Sequence, residues 1–346
     1  MYRSRVLTPF ACVGTAVGAV LFSEKRRESS IPGSVPSFVS RCSSADSDLK
    51  NSAFVFIKPH ANTTASQALV SKTLKDRGLT IKAEGELTAK QIDEGRLIDQ
   101  HYYAIASKAT LVKPEFLPVP VDKFKAAFGI EYAEALKQGI VFNALDACTY
   151  LGLSAEGLDA AWGPAKKVKF GGGFYAGEIE PKIPGKHPKI YVFNAFFMSM
   201  RAGFVRPGTS IHYYVVDFKP SELSWADFRG KVLGPTDPKA APAESLRGSM
   251  LKDWKSLGLD YEPTVGENCV HASASPFEGL AEKSNWLKAS VEKDEFGAAL
   301  IAKGVSKATI AEWSNDPQVK GKSLFDQLED LDAPECVAKA VELANK

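Results

Sequence analysis

A strand, a helix and a second strand follow one another closely between residues 53 and 87, and this order restricts the fold more than any other stretch. The apolar run "AFVFIKP" ends at a proline and predicts a buried strand followed by a turn. The next stretch, "TTASQALVSKTLKDRG", has Thr63 or Thr64 as a helix N-cap and Gly78 as its end. This order supports an α+β fold.

The second strand of this run and the helix after it carry further detail. The stretch "LTIKAEGEL" alternates in polarity and places Leu79, Ile81 and Ala83 on one face. We expect this strand to cover a core on one side only. Thr88 then caps a helix that is predicted to continue through Tyr102.

Length and charge limit the classes of function. With 346 residues the chain can form one large domain or two of ordinary size. Hydrophobic residues make up 45% and charged residues 24%, as in soluble globular proteins. Lys plus Arg (43) nearly balance Asp plus Glu (41), so the whole chain has no electrostatic footprint for nucleic acid and we expect no nucleic-acid partner. Anion binding must depend on local sites.

The amino terminus differs in kind from the rest. Residues 1–50 contain Arg3 and Arg5, no acidic residue before Glu24, and many serines, which is typical of a targeting segment outside the fold. We predict a mitochondrial transit segment, with a plastid or secretory signal as the alternative. The apolar run at residues 6–22 is near the lower limit for a membrane span, so membrane association through it is a second alternative.

The five cysteines are widely scattered, with no CxxC pair and no matching Cys/His spacing. This pattern predicts neither a zinc site nor a disulfide scaffold, and we expect no side chain to act as a metal ligand. Cys269 lies two residues before His271, but a small buried thiol is the simpler interpretation.

Two further segments border the regular part. Prolines and glycines punctuate residues 112–188 around one predicted helix, "YAEALKQGIVFNALDACTYLG", and we interpret this segment as an insertion. Residues 291–346 contain two or three short amphipathic patterns, which predict a helical C-terminal extension.

Five separated motifs then fall into one order: "FIKPH", "HYYAIASK", "AFFMSMRAGFV", "LGPTDPKAAPAESLRG" and "VGENCVHASAS". Together they resemble the nucleoside diphosphate kinase family. The spacing agrees, with eleven residues from Thr236 to Arg247 and three from Asn268 to His271. The resemblance implies a ferredoxin-like βαββαβ core with an antiparallel sheet in residues 51–290, interrupted by the insertion.

The resemblance also implies a reaction and its residues. A γ-phosphoryl group would pass from a nucleoside triphosphate to a nucleoside diphosphate by a ping-pong mechanism through a phosphohistidine at His271, with Glu282 holding the other ring nitrogen. Mg²⁺ would be bound through the nucleotide phosphates. The residues implied for nucleotide binding are Lys58, Tyr102, Thr236, Arg247, Asn268 and Ser273, with Phe197 (or Phe196) and Val265 on either side of the base.

The departures from the family pattern suggest an alternative. About 80 extra residues separate Tyr102 from Phe197, and about eleven lie between Arg247 and Asn268, in a loop that family members use for subunit contacts. The family's further phosphate-binding arginine has no match at its position, where Arg229 and Lys231 are the nearest cations. The alternative is an inactive or weakly active subunit with a structural role in an organellar, membrane-associated assembly. A homo-oligomer or a subunit of a larger complex fits either function.

Overall fold

The computed structural model describes residues 49–171 and 173–345. The targeting segment predicted for residues 1–50, with its apolar run at 6–22, lies outside the described residues except for its last two positions. Within the described part of the chain, every helix is too short or too polar to cross a membrane.

Strands and helices are distributed along the whole described part of the chain. The strands are β1 (Asn51–Ile57), β2 (Thr80–Thr88), β3 (Val141–Asn143), β4 (Lys166–Gly171), β5 (Phe174–Ile179), β6 (Ile190–Phe193), β7 (Ser210–Phe218), β8 (Val270–Ala272), β9 (Gln318–Val319) and β10 (Lys322–Ser323). The helices are α1 (Thr64–Asp76), α2 (Ala89–Glu94), α3 (Leu97–His101), α4 (Tyr103–Ala106), α5 (Val121–Phe128), α6 (Tyr132–Lys137), α7 (Ala144–Leu151), α8 (Ala155–Trp162), α9 (Phe197–Val205), α10 (Trp225–Asp227), α11 (Leu246–Asp253), α12 (Pro276–Leu287), α13 (Glu295–Ala302), α14 (Lys307–Trp313), α15 (Leu324–Leu328) and α16 (Ala333–Ala344).

The first sheet has the strand order β2-β7-β1-β8, and all its neighbouring strands are antiparallel. The predicted strand, helix and strand at its start are confirmed as β1, α1 and β2, with Thr63 as the helix cap. Both faces of β1 are buried. Val55 and Ile57 pack in the core under α1 and α11, whereas Phe54 and Phe56 pack on the other face against Trp286 of α12.

The edge strand β2 corrects one expectation. A bulge shifts the pairing of β2 with β7 between Ile81 and Ala83, so that these two residues oppose Val216 and Val215. Side chains alternate with a period of two, and an extra residue turns the following ones to the other face. Ala83 therefore does not share a face with Ile81, and it is exposed.

Strands β3, β4 and β5 lie in residues 112–188, the segment predicted to be an insertion, and they form a second sheet with β6, which follows that segment, in the order β3-β6-β5-β4. Strands β3 and β6 are parallel and the other pairs are antiparallel. Its core is built around buried aromatic rings such as Phe124, Trp162 and Phe193. The single helix predicted here is wrong: Gly139, with φ of 67°, follows the end of α6, and Asn143 caps a separate helix α7 after β3.

The helix predicted from Thr88 through Tyr102 is likewise divided into α2 and α3, because Arg96 between them has a left-handed backbone at φ 52°. A buried ion pair fixes α3. Arg201 of α9 donates from Nε to both carboxylate oxygens of Asp99 at 3.0 Å, and Thr110 donates to Asp99 Oδ1 at 2.5 Å. These bonds join α3, which precedes the second sheet in the chain, to α9, which follows it.

The C-terminal helices α13 to α16 form a core of their own with Phe277 and Leu280 of α12. Asp332, just before α16, accepts hydrogen bonds from Asn51 Nδ2 and from the Trp225 backbone N–H, both at 2.7 Å. The extension is thereby attached to the first residue of β1.

The Asp99–Arg201 pair generates a stability prediction. Asp99 is fully buried, so Asp99→Asn leaves the buried Arg201 charge without its main partner, and we expect a loss of about 3 kcal/mol in the free energy of unfolding. The matched control is Asp93→Asn, because the Asp93 side chain also pairs with Arg201 but is 52% exposed, and it should cost less than about 1 kcal/mol. Urea denaturation measures both, and equal losses would contradict this assignment.

Candidate active site

His271 lies in the short strand β8, at the edge of the first sheet. It is directly opposite Phe56 in the register of β1 and β8, and the two rings stack with centroids 4.7 Å apart. The Lys58 backbone N–H donates to the Cys269 carbonyl at 2.8 Å, so the end of β1 is joined to the start of β8. Cys269 has φ of 70°, a left-handed conformation that is uncommon outside glycine. This connection places Lys58 and His271 at neighbouring strand ends.

Glu282 reaches His271 from helix α12. Its Oε1 is 2.6 Å from His271 Nε2, and the Glu282 side chain is only 4% exposed. Helix α12 lies directly on β1 because Gly279 has no side chain: a Cβ there would be 2.6 Å from the Ser52 carbonyl oxygen. The close approach of this helix to the sheet thus sets the His271–Glu282 distance.

Ser273 has a different role from the predicted one. It is fully buried, accepts a hydrogen bond from the Phe54 N–H at 2.9 Å, and donates to Glu282 Oε2 at 2.5 Å. The hydroxyl therefore already accepts one hydrogen bond and donates another inside the protein. The prediction that Ser273 contacts the nucleotide is therefore corrected: it positions Glu282.

A second carboxyl group, Glu278, lies one helical turn before Glu282 and is hydrogen-bonded to it. Burial, and next the charge of Glu282, raise the pKa of Glu278 well above 4.5, and burial raises the pKa of Glu282 to about 8. The pair therefore keeps a proton at neutral pH. With that proton on Glu278, both oxygens of Glu282 accept, one from Ser273 and one from His271 Nε2–H.

His271 itself is held in the neutral form. Burial first, and then the charges of Lys58 and Arg247, lower its pKa well below 6.5. Because Nε2 carries the proton donated to Glu282, the lone pair is on Nδ1. Nδ1 makes no hydrogen bond with any described residue. The arrangement therefore supplies a neutral, oriented imidazole nucleophile.

His101 is a site residue that the motif analysis did not single out. Its ring meets that of His271 edge-on, with centroids 4.6 Å apart, and its Nδ1 is 3.4 Å from Glu282 Oε1. The Trp286 indole N–H lies 3.4 Å from the same nitrogen. Its position next to Tyr102 in the "HYYAIASK" motif was the signal in the sequence that could have identified it.

Although no metal ligand was predicted, His101, His271 and Glu282 each offer a ligand atom, all within 4.8 Å of one another.

Two cations lie beside the histidine. Arg247 is 8% exposed and donates to the Val270 carbonyl (3.2 and 2.8 Å) and the Gly234 carbonyl (2.8 Å). Burial, and then the charge of Arg229, lower the pKa of Arg247 to about 10, so it stays charged at neutral pH. The Lys58 ammonium is 3.4 Å from the Gly266 carbonyl.

Arg229 and Lys231, the nearest cations to the unmatched family arginine, are paired with carboxylates. Arg229 donates to Asp330 at 2.7 Å and is the same distance from Glu329, both in the C-terminal extension. Lys231 pairs with Asp227 at 2.7 Å.

Asn268, Thr236 and Tyr102 are the remaining polar candidates. Asn268 is 3% exposed and donates to the Thr236 carbonyl at 3.1 Å and the Val265 carbonyl at 3.4 Å, while its buried Oδ1 has no partner among the described residues. The Thr236 side chain is exposed. Burial and the charge of Glu282 raise the pKa of Tyr102 to about 12, which keeps its hydroxyl a donor.

The predicted stacking of a base on Phe197 is not supported. Phe197 is fully buried in the core of the second sheet, because α9 directly follows strand β6 of that sheet. The alternative, Phe196, packs against Trp162 and Tyr175. Val265, the other predicted partner of the base, is 45% exposed.

Comparisons with known proteins gave distant likenesses only. No family model matches the chain, and no curated protein matches it. Among solved structures, nucleoside diphosphate kinase from Encephalitozoon cuniculi is 14% identical with a TM-score of 0.34, over 68% of this chain and 88% of that one. An NDP kinase from Pyrobaculum aerophilum is 18% identical with a TM-score of 0.31, over 69% and 96%. Likenesses this weak add nothing to the geometry above.

The buried carboxyl pair generates a pH prediction. Because the pKa of Glu278 is raised in the folded protein, the fold keeps a proton that the unfolded chain releases above about 4.5, and the wild type loses stability as pH rises. Glu278→Gln cannot ionise, so its stability relative to wild type should increase with pH, by up to about 1.4 kcal/mol per pH unit. Denaturant unfolding between pH 5 and 9 measures this difference.

Glu292→Gln is the matched control, because a hydrogen bond from Lys307 lowers the pKa of Glu292 to about 2. The stability that Glu292 contributes is complete above pH 4.5 and is lost only as pH falls toward 2, so its difference from wild type should be flat from pH 5 to 9. A flat difference for Glu278→Gln as well would show that Glu278 is not a buried acid.

Proposed function

We propose that the protein transfers the γ-phosphoryl group of a nucleoside triphosphate to a nucleoside diphosphate through a phosphohistidine at His271. The observation that carries this proposal is the paired state of the imidazole: Nε2 is held by Glu282 at 2.6 Å while Nδ1 has no partner among the described residues. A nucleophile oriented by a buried carboxylate is the arrangement that covalent catalysis requires.

The chemistry follows from that geometry. The Nδ1 lone pair attacks the γ-phosphorus, an N–P bond forms, and the bond from phosphorus to the β-phosphate oxygen breaks, so the diphosphate leaves with the electron pair. Glu282 accepts from Nε2–H and stabilises the positive charge that grows on the ring. A second diphosphate then attacks the same phosphorus, and the N–P bond breaks to restore neutral His271.

The cations near His271 would neutralise the negative charge of the phosphoryl group. Lys58 and Arg247 both lower the pKa of His271, which supports assigning them to neutralise the charge of a transferring phosphoryl group. Arg247 uses three of the five guanidinium N–H groups on carbonyls and keeps two. Tyr102, Thr236 and Asn268 supply neutral polar groups, and Mg²⁺ enters with the nucleotide phosphates.

The fold offers further support. Numbered by their own order in the chain, the four strands of the first sheet lie in the order 2-3-1-4. This is the order of the ferredoxin-like βαββαβ core that the sequence motifs imply. On this proposal residues 51–290 form the kinase-like domain, residues 112–188 the insertion and residues 291–346 the extension; the mitochondrial location and the oligomeric state stay predictions.

A second candidate is a subunit with reduced or no turnover. The observation that favours it is the burial of Phe197 in the core of the second sheet, which leaves the exposed Val265 without the aromatic partner predicted to hold a base. The pairing of Arg229 with Glu329 and Asp330 also favours reduced turnover, since carboxylates already neutralise the charge of this arginine.

Labelling distinguishes these candidates. The full chain is incubated with γ-labelled ATP and Mg²⁺ beside His271→Gln, and a nucleoside diphosphate is then added. We expect an acid-labile, alkali-stable label that is absent from His271→Gln and moves to the diphosphate. The control His212→Gln alters a histidine of β7 outside this cluster and should be labelled normally. If the folded wild type takes no label, the kinase proposal is wrong and the structural role is the remaining candidate.

Glu282 supplies a finer test of the same site. Glu282→Gln keeps the size of the side chain but cannot accept from both Ser273 and His271 with two carboxylate oxygens. We expect the rate of label formation to fall about 100-fold with little change in the nucleotide concentration that gives half the maximal rate. Stopped-time labelling measures both quantities, and an unchanged rate would remove Glu282 from the mechanism.

A further inference from the structure

We propose that His101, His271 and Glu282 form a binding site for a transition-metal ion such as Zn²⁺, and that the bound ion blocks phosphorylation of His271. The metal site stands on the positions of three side chains, whereas its inhibitory effect rests on the proposed function. The three ligand atoms come from α3, β8 and α12 and lie within 4.8 Å of one another.

The distances fit a zinc ion with a small adjustment. Zinc bonds to imidazole nitrogen and carboxylate oxygen are about 2.0–2.2 Å, so tetrahedral ligand atoms lie about 3.4 Å apart. His101 Nδ1 is already 3.4 Å from Glu282 Oε1, and His271 Nε2 is 2.6 Å from the same oxygen. The ion would take the place of the Nε2 proton between His271 and Glu282, which is released to solvent, and would push that closer pair apart.

The donor set distinguishes this site from that of Mg²⁺. Two neutral imidazoles and one carboxylate suit zinc and other transition ions, whereas Mg²⁺ prefers oxygen ligands and keeps its waters. The positive charges of Lys58 and Arg247 oppose any cation here, and the carboxylate of Glu282, as a ligand of the ion, offsets part of them. The charge of Arg229 is already matched by Glu329 and Asp330.

The ligands are held in place by their neighbours. Ser273 fixes the second oxygen of Glu282, and Phe56 stacks on the His271 ring. Tyr102 packs edge-on against His101, with ring centroids 4.6 Å apart. Such surrounding contacts orient metal ligands in proteins. The long Trp286 N–H contact to His101, at 3.4 Å, would be lost on metal binding.

The same geometry explains the inhibition. A metal on Nε2 withdraws electron density from the ring and leaves Nδ1 a weaker nucleophile, and it removes the Glu282 oxygen that stabilises the ring charge. The ion would occupy Nε2 and the phosphoryl group Nδ1, so both need the same imidazole, whose side chain is 17% exposed against 4% for the other two ligands. Occupancy by one should therefore oppose occupancy by the other.

Zinc binding is tested on the full chain after chelator treatment and dialysis, by competition with a chromophoric zinc indicator. We expect one tightly bound Zn²⁺ per chain, with an affinity lowered at least tenfold in His101→Asn and in Glu282→Gln. The control His212→Asn should bind like wild type. If His101→Asn does not fold, Glu282→Gln decides, and wild-type affinity in either folded variant overturns the site.

Phosphorylation is measured in parallel, with and without stoichiometric Zn²⁺, to separate the two proposals. We expect label without zinc and at least tenfold less label with it, while His101→Asn resists the inhibition. Zinc binding that depends on these residues, in a protein that never takes label, would overturn the kinase proposal and leave the metal site. Label that forms equally with the site loaded would overturn the inhibition.

Discussion

The carboxylate of Glu282, buried between a helix and a sheet, is the interaction on which this site depends. Placing a carboxyl group there is costly unless its oxygens are hydrogen-bonded. The chain meets this requirement from three directions: Ser273 on one oxygen, His271 on the other, and Glu278 from one turn earlier in α12. Because Ser273 also bonds to the backbone of Phe54, the orientation of the carboxylate is fixed to the central strand of the sheet. The position of the histidine is therefore a property of the core and not of a mobile loop.

The second sheet is connected to this site through the helices on either side of it. The chain enters through α3, which carries His101, and returns through α9, which carries Arg201; the buried pair between Asp99 and Arg201 joins the two. The insertion thus folds around its own core while its junction is held close to the histidines. The same arrangement draws Phe197 into the second core, so the element that stabilises the junction also removes an aromatic ring from the region where a base was expected.

Sequence alone accounts for the local elements that carry strong signals. The strand before Lys58 and the helix capped by Thr63 were readable because each depends on residues near one another in the chain, whereas the contact of Glu282 with His271 was implied by the family resemblance. Three features could not be read. The bulge in β2 depends on pairing with β7, the burial of Phe197 on a distant sheet, and the His101–His271 contact on a separation of 170 residues. The resemblance implied a nucleotide contact for Ser273, because the sequence pattern does not show that Phe54 and Glu282 occupy its hydroxyl.

The electrostatics of the site explain why one histidine can face two kinds of ligand. Burial and the charges of Lys58 and Arg247 hold His271 neutral, and a neutral imidazole with a free lone pair can attack phosphorus or bind a transition metal. The charges around the imidazole decide which of these two ligands it meets on each ring nitrogen. On the Nδ1 side an incoming phosphoryl group brings negative charge, which the lysine and arginine match. On the Nε2 side a metal ion brings positive charge, which the Glu282 carboxylate matches. Each occupant therefore satisfies one half of the local charge and leaves the other half uncompensated. On the proposals above both occupants need the same imidazole, because a metal on Nε2 takes the Glu282 oxygen that would stabilise the ring charge formed when Nδ1 attacks phosphorus, and we therefore expect one to oppose the other.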